Sequence, residues 1–219
     1  MILAAGRGER MRPLTDATPK PLLTAGGKPL IVWTVEALVR AGFRDIVINH
    51  AHLGGQIEAA LGDGGPWGAT IRYSPEASAL ETAGGIRKAL PLLGERFLVV
   101  NGDVHTDIDF GRLSDRPSGA LLAHLLLVPN PEHNPAGDFA VERGWLRNRG
   151  SPMLTFSGVG VYRAEMFRHL VAGEPAKLAP LLRAAADESR ASAEIHDGLW
   201  QDIGTPQRLA ELDRMLRAR

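Results

Sequence analysis

The sequence predicts an α/β fold: a Rossmann-like, doubly wound sheet, mixed but mostly parallel, with helices on both faces. Three observations predict it. Short apolar runs alternate with segments whose apolar residues recur at helical spacing. A glycine turn, Gly6-Arg7-Gly8, follows the first apolar run directly. Asn101-Gly102-Asp103 follows a later run in the same way. In doubly wound sheets ligands sit beyond the carboxyl ends of the strands, so both turns belong to one sheet edge.

Residues 2–5 read as a buried strand. Residues 29–39 carry apolar positions at helical spacing, with Pro29 suited to the first turn and Gly42 to the end. A strand over 45–49, a short helix over 56–61 and a strand over 69–73 follow. A helix is expected over 85–93, with Pro91 near its end, then a fully apolar strand over 97–100. The second half is less regular. Residues 120–128 and 138–141 read as strands around a Pro/Asn/Gly-rich loop over 130–137. Residues 156–162 are a strand interrupted by Gly158 and Gly160. Helices are expected over 178–187 and 206–216, the latter capped by Thr205 with Pro206 at its first position. With 219 residues and no repeat, linker or low-complexity tract, a single domain over 1–219 is the economical reading.

Lys plus Arg and Asp plus Glu both number 25, so no global basic field exists to hold nucleic acid or an anionic membrane. Any anionic substrate must be held by a local cluster. Cysteine is absent, which removes disulfides, thiolate nucleophiles and thiolate zinc sites. The apolar start is too short for a signal segment, and no apolar run approaches the roughly 20 residues of a membrane span. The expectation is a cytoplasmic protein; nothing in the sequence assigns an oligomeric state.

The first chemical motif is Gly6-Arg7-Gly8-Glu9-Arg10-Met11. A strand that turns through two glycines aims successive N–H groups at a phosphate chain, and Arg10 adds a planar fork suited to phosphate oxygens. Lys20 supplies a compact charge on the same loop, which Pro13, Pro19 and Pro21 stiffen. Two glycines alone fit a plain turn with solvated arginines equally well; Arg10, Lys20 and the preceding strand favour the phosphate cradle. The spacing is not that of a P-loop. It is not that of a dinucleotide fold either, since Met11 stands where a third glycine is needed.

Leu3-Ala4-Ala5-Gly6-x-Gly8-x-Arg10-Met11-x-Pro13-Leu14-Thr15, followed by Pro19-Lys20-Pro21, resembles the opening motif of the sugar-nucleotide pyrophosphorylases, or sugar-1-phosphate nucleotidyltransferases. The resemblance implies that Gly6, Gly8, Glu9 and Arg10 hold a nucleoside triphosphate while Lys20 reaches its α-phosphate. Asp103 in Asn101-Gly102-Asp103 and Asp202 in Trp200-x-Asp202-Ile203-Gly204-Thr205-Pro206 read, one by one, as turn or cap residues. The two stretches resemble the family's metal-binding segments, in the expected order, which implies Mg²⁺ held by Asp103 and Asp202. Arg10, Lys20 and Asp103 are then the catalytic candidates, for direct attack by a sugar 1-phosphate on the α-phosphorus.

Ser74-Pro75-Glu76 and Leu80-Glu81-Thr82-x-Gly84-Gly85-Ile86 resemble the uridylyltransferases that act on N-acetylmuramate 1-phosphate in peptidoglycan recycling. That implies UTP as donor, with Glu76, Glu81, Thr82, Gly85 and Asn101 on the nucleotide side. A solvated turn before a helix accounts for the same residues. Ala83 departs from the glycine expected there and puts an extra methyl near the base. The resemblance also implies sugar-site elements mainly after residue 103, Gly137, Asp138 and Ser157 among them. By position alone His105, after the Asp103 turn, and Trp200, beside the second aspartate, are further sugar-side candidates, with a surface loop and a core role as the alternatives. Guanylyl or thymidylyl transfer to mannose, heptose or glucose 1-phosphate is the alternative of the same chemistry, and a non-catalytic nucleotide sensor the alternative of another class.

Overall fold

A computed structural model of the chain describes residues 1–218. Its strands are β1 (Ile2–Ala4), β2 (Thr24–Ala25), β3 (Lys28–Pro29), β4 (Asp45–His50), β5 (Thr70–Pro75), β6 (Arg96–Asn101), β7 (Val104–Thr106), β8 (Ala123–Val128), β9 (Ala140–Glu142), β10 (Trp145–Arg147), β11 (Thr155–Arg163), β12 (Ala191–Ile195) and β13 (Trp200–Asp202). The α-helices among the described residues are α1 (Leu30–Arg40), α2 (Gly54–Leu61), α3 (Glu81–Ala89), α4 (Leu178–Asp187) and α5 (Pro206–Arg217). None is long and apolar enough to cross a membrane.

Nine strands form one sheet in the order β5-β4-β1-β6-β11-β8-β12-β10-β9. The first four are parallel, β11 runs antiparallel to both β6 and β8, and β12 returns parallel to β8. Strand order reverses at β1, which lies between β4 and β6. This is the switch point at which crossovers leave to opposite sides and open a crevice. Period-two alternation assigns side chains to the two faces. Phe97 and Val99 of β6 join Leu125 and Leu127 of β8 against α3 and α4. Leu98 and Val100 join Leu126, Ile46 and Ile48 against α1 and α2. A third cluster of Met11, Leu23, Ala25, Leu30, Ile203 and Leu212 lies beneath α5. Each fully buried aliphatic side chain contributes roughly 1.5–3 kcal/mol relative to exposure.

The expected elements appear with shifted ends, and one shift bears on the site. The helix expected over 85–93 begins at Glu81 and gives way to a 3₁₀ turn at Leu90–Leu92, where Pro91 intervenes. Gly84 and Gly85 therefore lie inside α3 and not ahead of it. A Cβ at Gly84 would stand 2.5 Å from the Glu174 carbonyl, and one at Gly85 would stand 2.7 Å from Glu76 Oε1. Close approach, rather than a turn, requires these glycines. Thr205 caps α5 as expected, its Oγ1 accepting from the Arg208 amide at 3.3 Å.

Candidate active site

The strands β1, β4, β5 and β6 end level with one another. Leu3 pairs with Asn49 and Asn101, while His50 pairs with Pro75. Beyond these ends lies a cleft of about 490 Å³. It gathers Gly6, Gly8, Glu9, Arg10, Lys20, Glu76, Glu81, Thr82, Asn101 and Asp103, ten of the residues expected at the site, together with Asn49. Gly85 forms the wall behind Glu76.

The loop after β1 is held by its own apolar anchor. Met11 is fully buried in the third cluster, and its amide closes a 3₁₀ turn onto the Gly8 carbonyl at 2.8 Å. The same carbonyl accepts from Thr15 Oγ1 at 2.9 Å. Gly8 has a φ of 72°, and a Cβ there would meet Thr15 and Lys20, so only glycine closes this turn. Among the described residues no amide from Gly6 to Arg10 donates a hydrogen bond. Arg10 lies against Gly204 and forms no ion pair within the described chain. Five adjacent unspent donors beside a guanidinium make an anion cradle.

Asn49, which the sequence reading passed over, ties the cleft together. Its Oδ1 accepts from the Ala4 amide at 3.1 Å, and its Nδ2 donates to Glu76 Oε1 at 2.7 Å. Glu76 Oε2 accepts from the Leu80 amide at 2.8 Å. The end of β1 is thus locked to the turn before α3. Glu81 opens that helix with a φ of 59°, a left-handed conformation costing about 1–3 kcal/mol in a residue with a side chain. Ala83 does not face the cleft; its methyl is fully buried in the cluster under α3. The departure from glycine therefore leaves the pocket wall unchanged.

Lys20 Nζ donates to Asp103 Oδ2 at 2.5 Å, a half-buried pair at the ends of β1 and β6. The ribbon β7–β13 carries the second aspartate alongside: Asp202 pairs with Val104, and the Ile203 amide donates to the Asp103 carbonyl at 2.7 Å. The Asp202 carboxylate faces a neighbouring depression. Both its oxygens accept from Arg208 Nη1 at 2.8 Å, and His133 Nε2 lies 3.3 Å away. Asp107 and Asp109 are structural, the first paired with His196 and the second capping a 3₁₀ turn.

The expected sugar residues divide. Asp138 lines a second depression of about 330 Å³ that shares Glu81, Thr82 and Asn101 with the cleft. Its Oδ2 accepts from the Phe156 amide at 2.8 Å. Gly137 shapes the turn that presents it, with a φ of 65°. Three others are not brought there. Ser157 is buried, its hydroxyl donating to the Leu126 carbonyl and accepting from the Val159 amide across a bulge in β11. Trp200 donates its indole N–H to the Ser157 carbonyl at 2.9 Å and borders the Asp202 depression. His105 packs edge-on against Trp33 at 5.7 Å and lines a separate small hollow. The sequence reading missed Lys177 and Arg183, which line the second depression.

Charge decides what the cleft can hold. Arg10 and Lys20 oppose Glu9, Glu76, Glu81 and Asp103, two cations against four carboxylates, a formal charge of −2. A polyphosphate entering such a space needs added positive charge, and hard carboxylate oxygens suit Mg²⁺, which takes one or two carboxylates plus phosphate oxygens. Asp103 lines the cleft and has that donor type; Asp202 has it too, but its carboxylate faces the neighbouring depression and is held there by Arg208. No cluster of three or more His, Cys, Asp or Glu able to hold a metal occurs among the described residues, so the phosphates would complete any coordination shell.

Residues 1–142 match the nucleotidyl transferase family. The chain is 58% identical, over all of its own length and 98% of the relative's, to an N-acetylmuramate alpha-1-phosphate uridylyltransferase from Neisseria meningitidis serogroup B. It is 32% identical to a protein of the same description from Caulobacter vibrioides, covering all of this chain and 97% of that one. Its fold superposes with a TM-score of 0.87 on a Bacillus anthracis structure provisionally designated a glucose-1-phosphate thymidylyltransferase, at 21% identity and covering 100% and 94% of the two chains.

Proposed function

The chain belongs to the nucleotidyl transferase family, and on that premise we infer that it transfers the uridylyl group of UTP to N-acetylmuramate α-1-phosphate. The products are UDP-N-acetylmuramate and pyrophosphate. The observation that carries the reaction is the convergence of the free Gly6–Arg10 amides, Arg10, Lys20 and Asp103 beyond the ends of β1 and β6. Identity over the whole length to a relative of that description carries the choice of substrates.

In this reading the Gly6–Arg10 amides and Arg10 take the oxygens of the triphosphate, and Lys20 offsets charge developing at the α-phosphate. A sugar-phosphate oxygen forms the new bond to the α-phosphorus while the bond to the β-phosphate oxygen breaks, and pyrophosphate leaves. The attacking phosphate is already ionised near neutral pH, so no protein base or nucleophile is required. Glu76, held by Asn49, presents a fixed acceptor edge to the base, and Glu81, Thr82 and Asn101 border both substrates. Mg²⁺ held by Asp103 and Asp202 would supply charge neutralisation and alignment of the phosphates. Residues 1–219 act as one catalytic unit, with sugar-facing groups, Asp138 among them, drawn mainly from beyond residue 103.

The test is a panel of UTP, GTP, dTTP and ATP against the 1-phosphates of N-acetylmuramate, mannose and glucose, read by pyrophosphate release. The reading requires release to be fastest with UTP and N-acetylmuramate α-1-phosphate. Preference for GTP or dTTP would move the chain to another branch of the same chemistry.

A further inference from the structure

The sugar-side depression contains two cations that the phosphate chemistry does not use. Lys177 immediately precedes α4 and Arg183 lies within it, and both border the space that also contains Asp138 and Phe156. Through Glu81, Thr82 and Asn101 this space is continuous with the nucleotide cleft. Lys177 forms no ion pair or side-chain hydrogen bond within the described chain. Arg183 stacks its guanidinium 5.2 Å over the Phe139 ring, which orients it without neutralising it. Two acids, Glu81 and Asp138, face the same space, so its lining is formally neutral, but among the described residues neither forms an ion pair with Lys177 or Arg183. Asp138 Oδ2 is taken up by the Phe156 amide and Asn134, and Glu81 stands at the boundary with the cleft. The first turn of α4 lines the depression as well and has no side-chain cap, so its amide dipoles favour negative charge in the same place.

The oxygens of a neutral sugar accept hydrogen bonds from both cations, but only a carboxylate offers them an opposite charge and a stronger, charge-assisted bond. The sugar in the proposed reaction is N-acetylglucosamine carrying a lactyl ether at its 3-oxygen, and that ether ends in a carboxylate. We propose that Lys177 and Arg183 form a carboxylate subsite that binds the lactyl group and so selects the acidic sugar over its neutral parent. The inference rests on the reading of the substrate given above. It adds which side chains distinguish that substrate from N-acetylglucosamine 1-phosphate, which carries the same 1-phosphate and the same N-acetyl group.

The experiment compares kcat and KM, with UTP fixed, for N-acetylmuramate α-1-phosphate and N-acetylglucosamine α-1-phosphate. The proteins are the wild type, Lys177→Gln, Arg183→Gln and Arg183→Lys. The expected result is a loss of roughly 10- to 100-fold in kcat/KM on the acidic sugar in each Gln variant, carried by KM. The neutral sugar should be turned over at its wild-type efficiency, and Arg183→Lys should recover most of the loss. Calorimetric binding of UDP-N-acetylmuramate against UDP-N-acetylglucosamine gives the same comparison without turnover. Equal losses on both sugars would assign the two cations to the shared phosphate and overturn the proposal, as would an unchanged preference. A wild type that never accepts the acidic sugar would overturn the substrate reading and this inference together. A wild type that accepts the acidic sugar, with variants whose preference is unchanged, would overturn this inference alone.

Discussion

Lys20 Nζ and Asp103 Oδ2 stand 2.5 Å apart, joining a loop that follows β1 to a turn that follows β6 across 83 residues of sequence. The contact places a cation on the carboxylate proposed to hold one. When substrate enters, Lys20 has to divide its charge between Asp103 and the incoming phosphates. The two residues therefore act as a unit, and their substitutions should not be additive.

Asp103→Asn is expected to lower kcat by about 10²–10³ while leaving nucleotide affinity within about tenfold. Lys20→Met should lower kcat by a similar factor, and the double variant should fall little further than either single one. Steady-state rates paired with calorimetric UTP binding check this. Independent, multiplying losses would mean that the pair does not act jointly.

Gly85→Ala sets two physical effects against each other. In a helix interior alanine is favoured over glycine by about 1 kcal/mol. The added Cβ would, however, stand 2.7 Å from Glu76 Oε1 and 2.8 Å from Asn49 Nδ2, inside the hydrogen bond that locks β1 to α3. Breaking a buried hydrogen bond of this kind costs about 1–3 kcal/mol. The net prediction is a lower Tm and a raised KM for UTP; a raised Tm with unchanged KM would show the Asn49–Glu76 contact to be dispensable.

Asp202→Asn bears on the second carboxylate, which Arg208 now grips through both oxygens. A metal ligand lost from a two-carboxylate set should raise the half-saturating Mg²⁺ concentration by roughly tenfold or more. Titration of Mg²⁺ at saturating UTP reads it directly. An unchanged titration curve would leave Asp202 as the partner of Arg208 and His133 alone.

His124 gives a pH dependence that lies away from the site. It is buried, its Nδ1 hydrogen-bonded to Ser192 Oγ at 2.8 Å, with Glu194 3.6 Å from Nε2 and no hydrogen-bond partner at that nitrogen. Burial lowers its pKa below 6.5; Glu194 opposes the shift and Arg116 reinforces it. The unfolded chain then binds the proton more readily than the folded one. Stability should fall as pH drops through 6.5 towards the lowered folded value. Chemical denaturation between pH 5.5 and 7.5 (about one unit either side of the ordinary histidine value) should show this slope in the wild type and a shallower one in His124→Asn.

The parts of this molecule legible in the sequence were those written locally. The glycine loop, Lys20, Asp103 and the Thr205 cap sit beside apolar runs or helix signals that announce them. Asn49 was not legible, because an asparagine at the end of an apolar strand acquires meaning only when β1 lies beside it. Lys177 and Arg183 read as solvated charges and remain exposed; only the fold of α4 brings them to the edge of one depression beside Phe139 and Phe156. Ser157, Trp200 and His105 were expected at the sugar because their segments adjoin the site. A bulge in β11 turns the serine inward, and the antiparallel β7–β13 ribbon directs Trp200 and His105 to other hollows. The strands β2, β3, β7, β10, β12 and β13 were missed because they are short or alternate with polar residues, which leaves no apolar run to read.

The central claim is tested most directly by following the α-phosphate of UTP. With UTP labelled at the α-phosphorus and N-acetylmuramate α-1-phosphate as acceptor, the label is predicted to move into UDP-N-acetylmuramate with one pyrophosphate released per transfer, and Asp103→Asn should slow the movement by about 10²–10³. Label remaining in UTP, label appearing as UMP without sugar, or undiminished transfer by Asp103→Asn would contradict it.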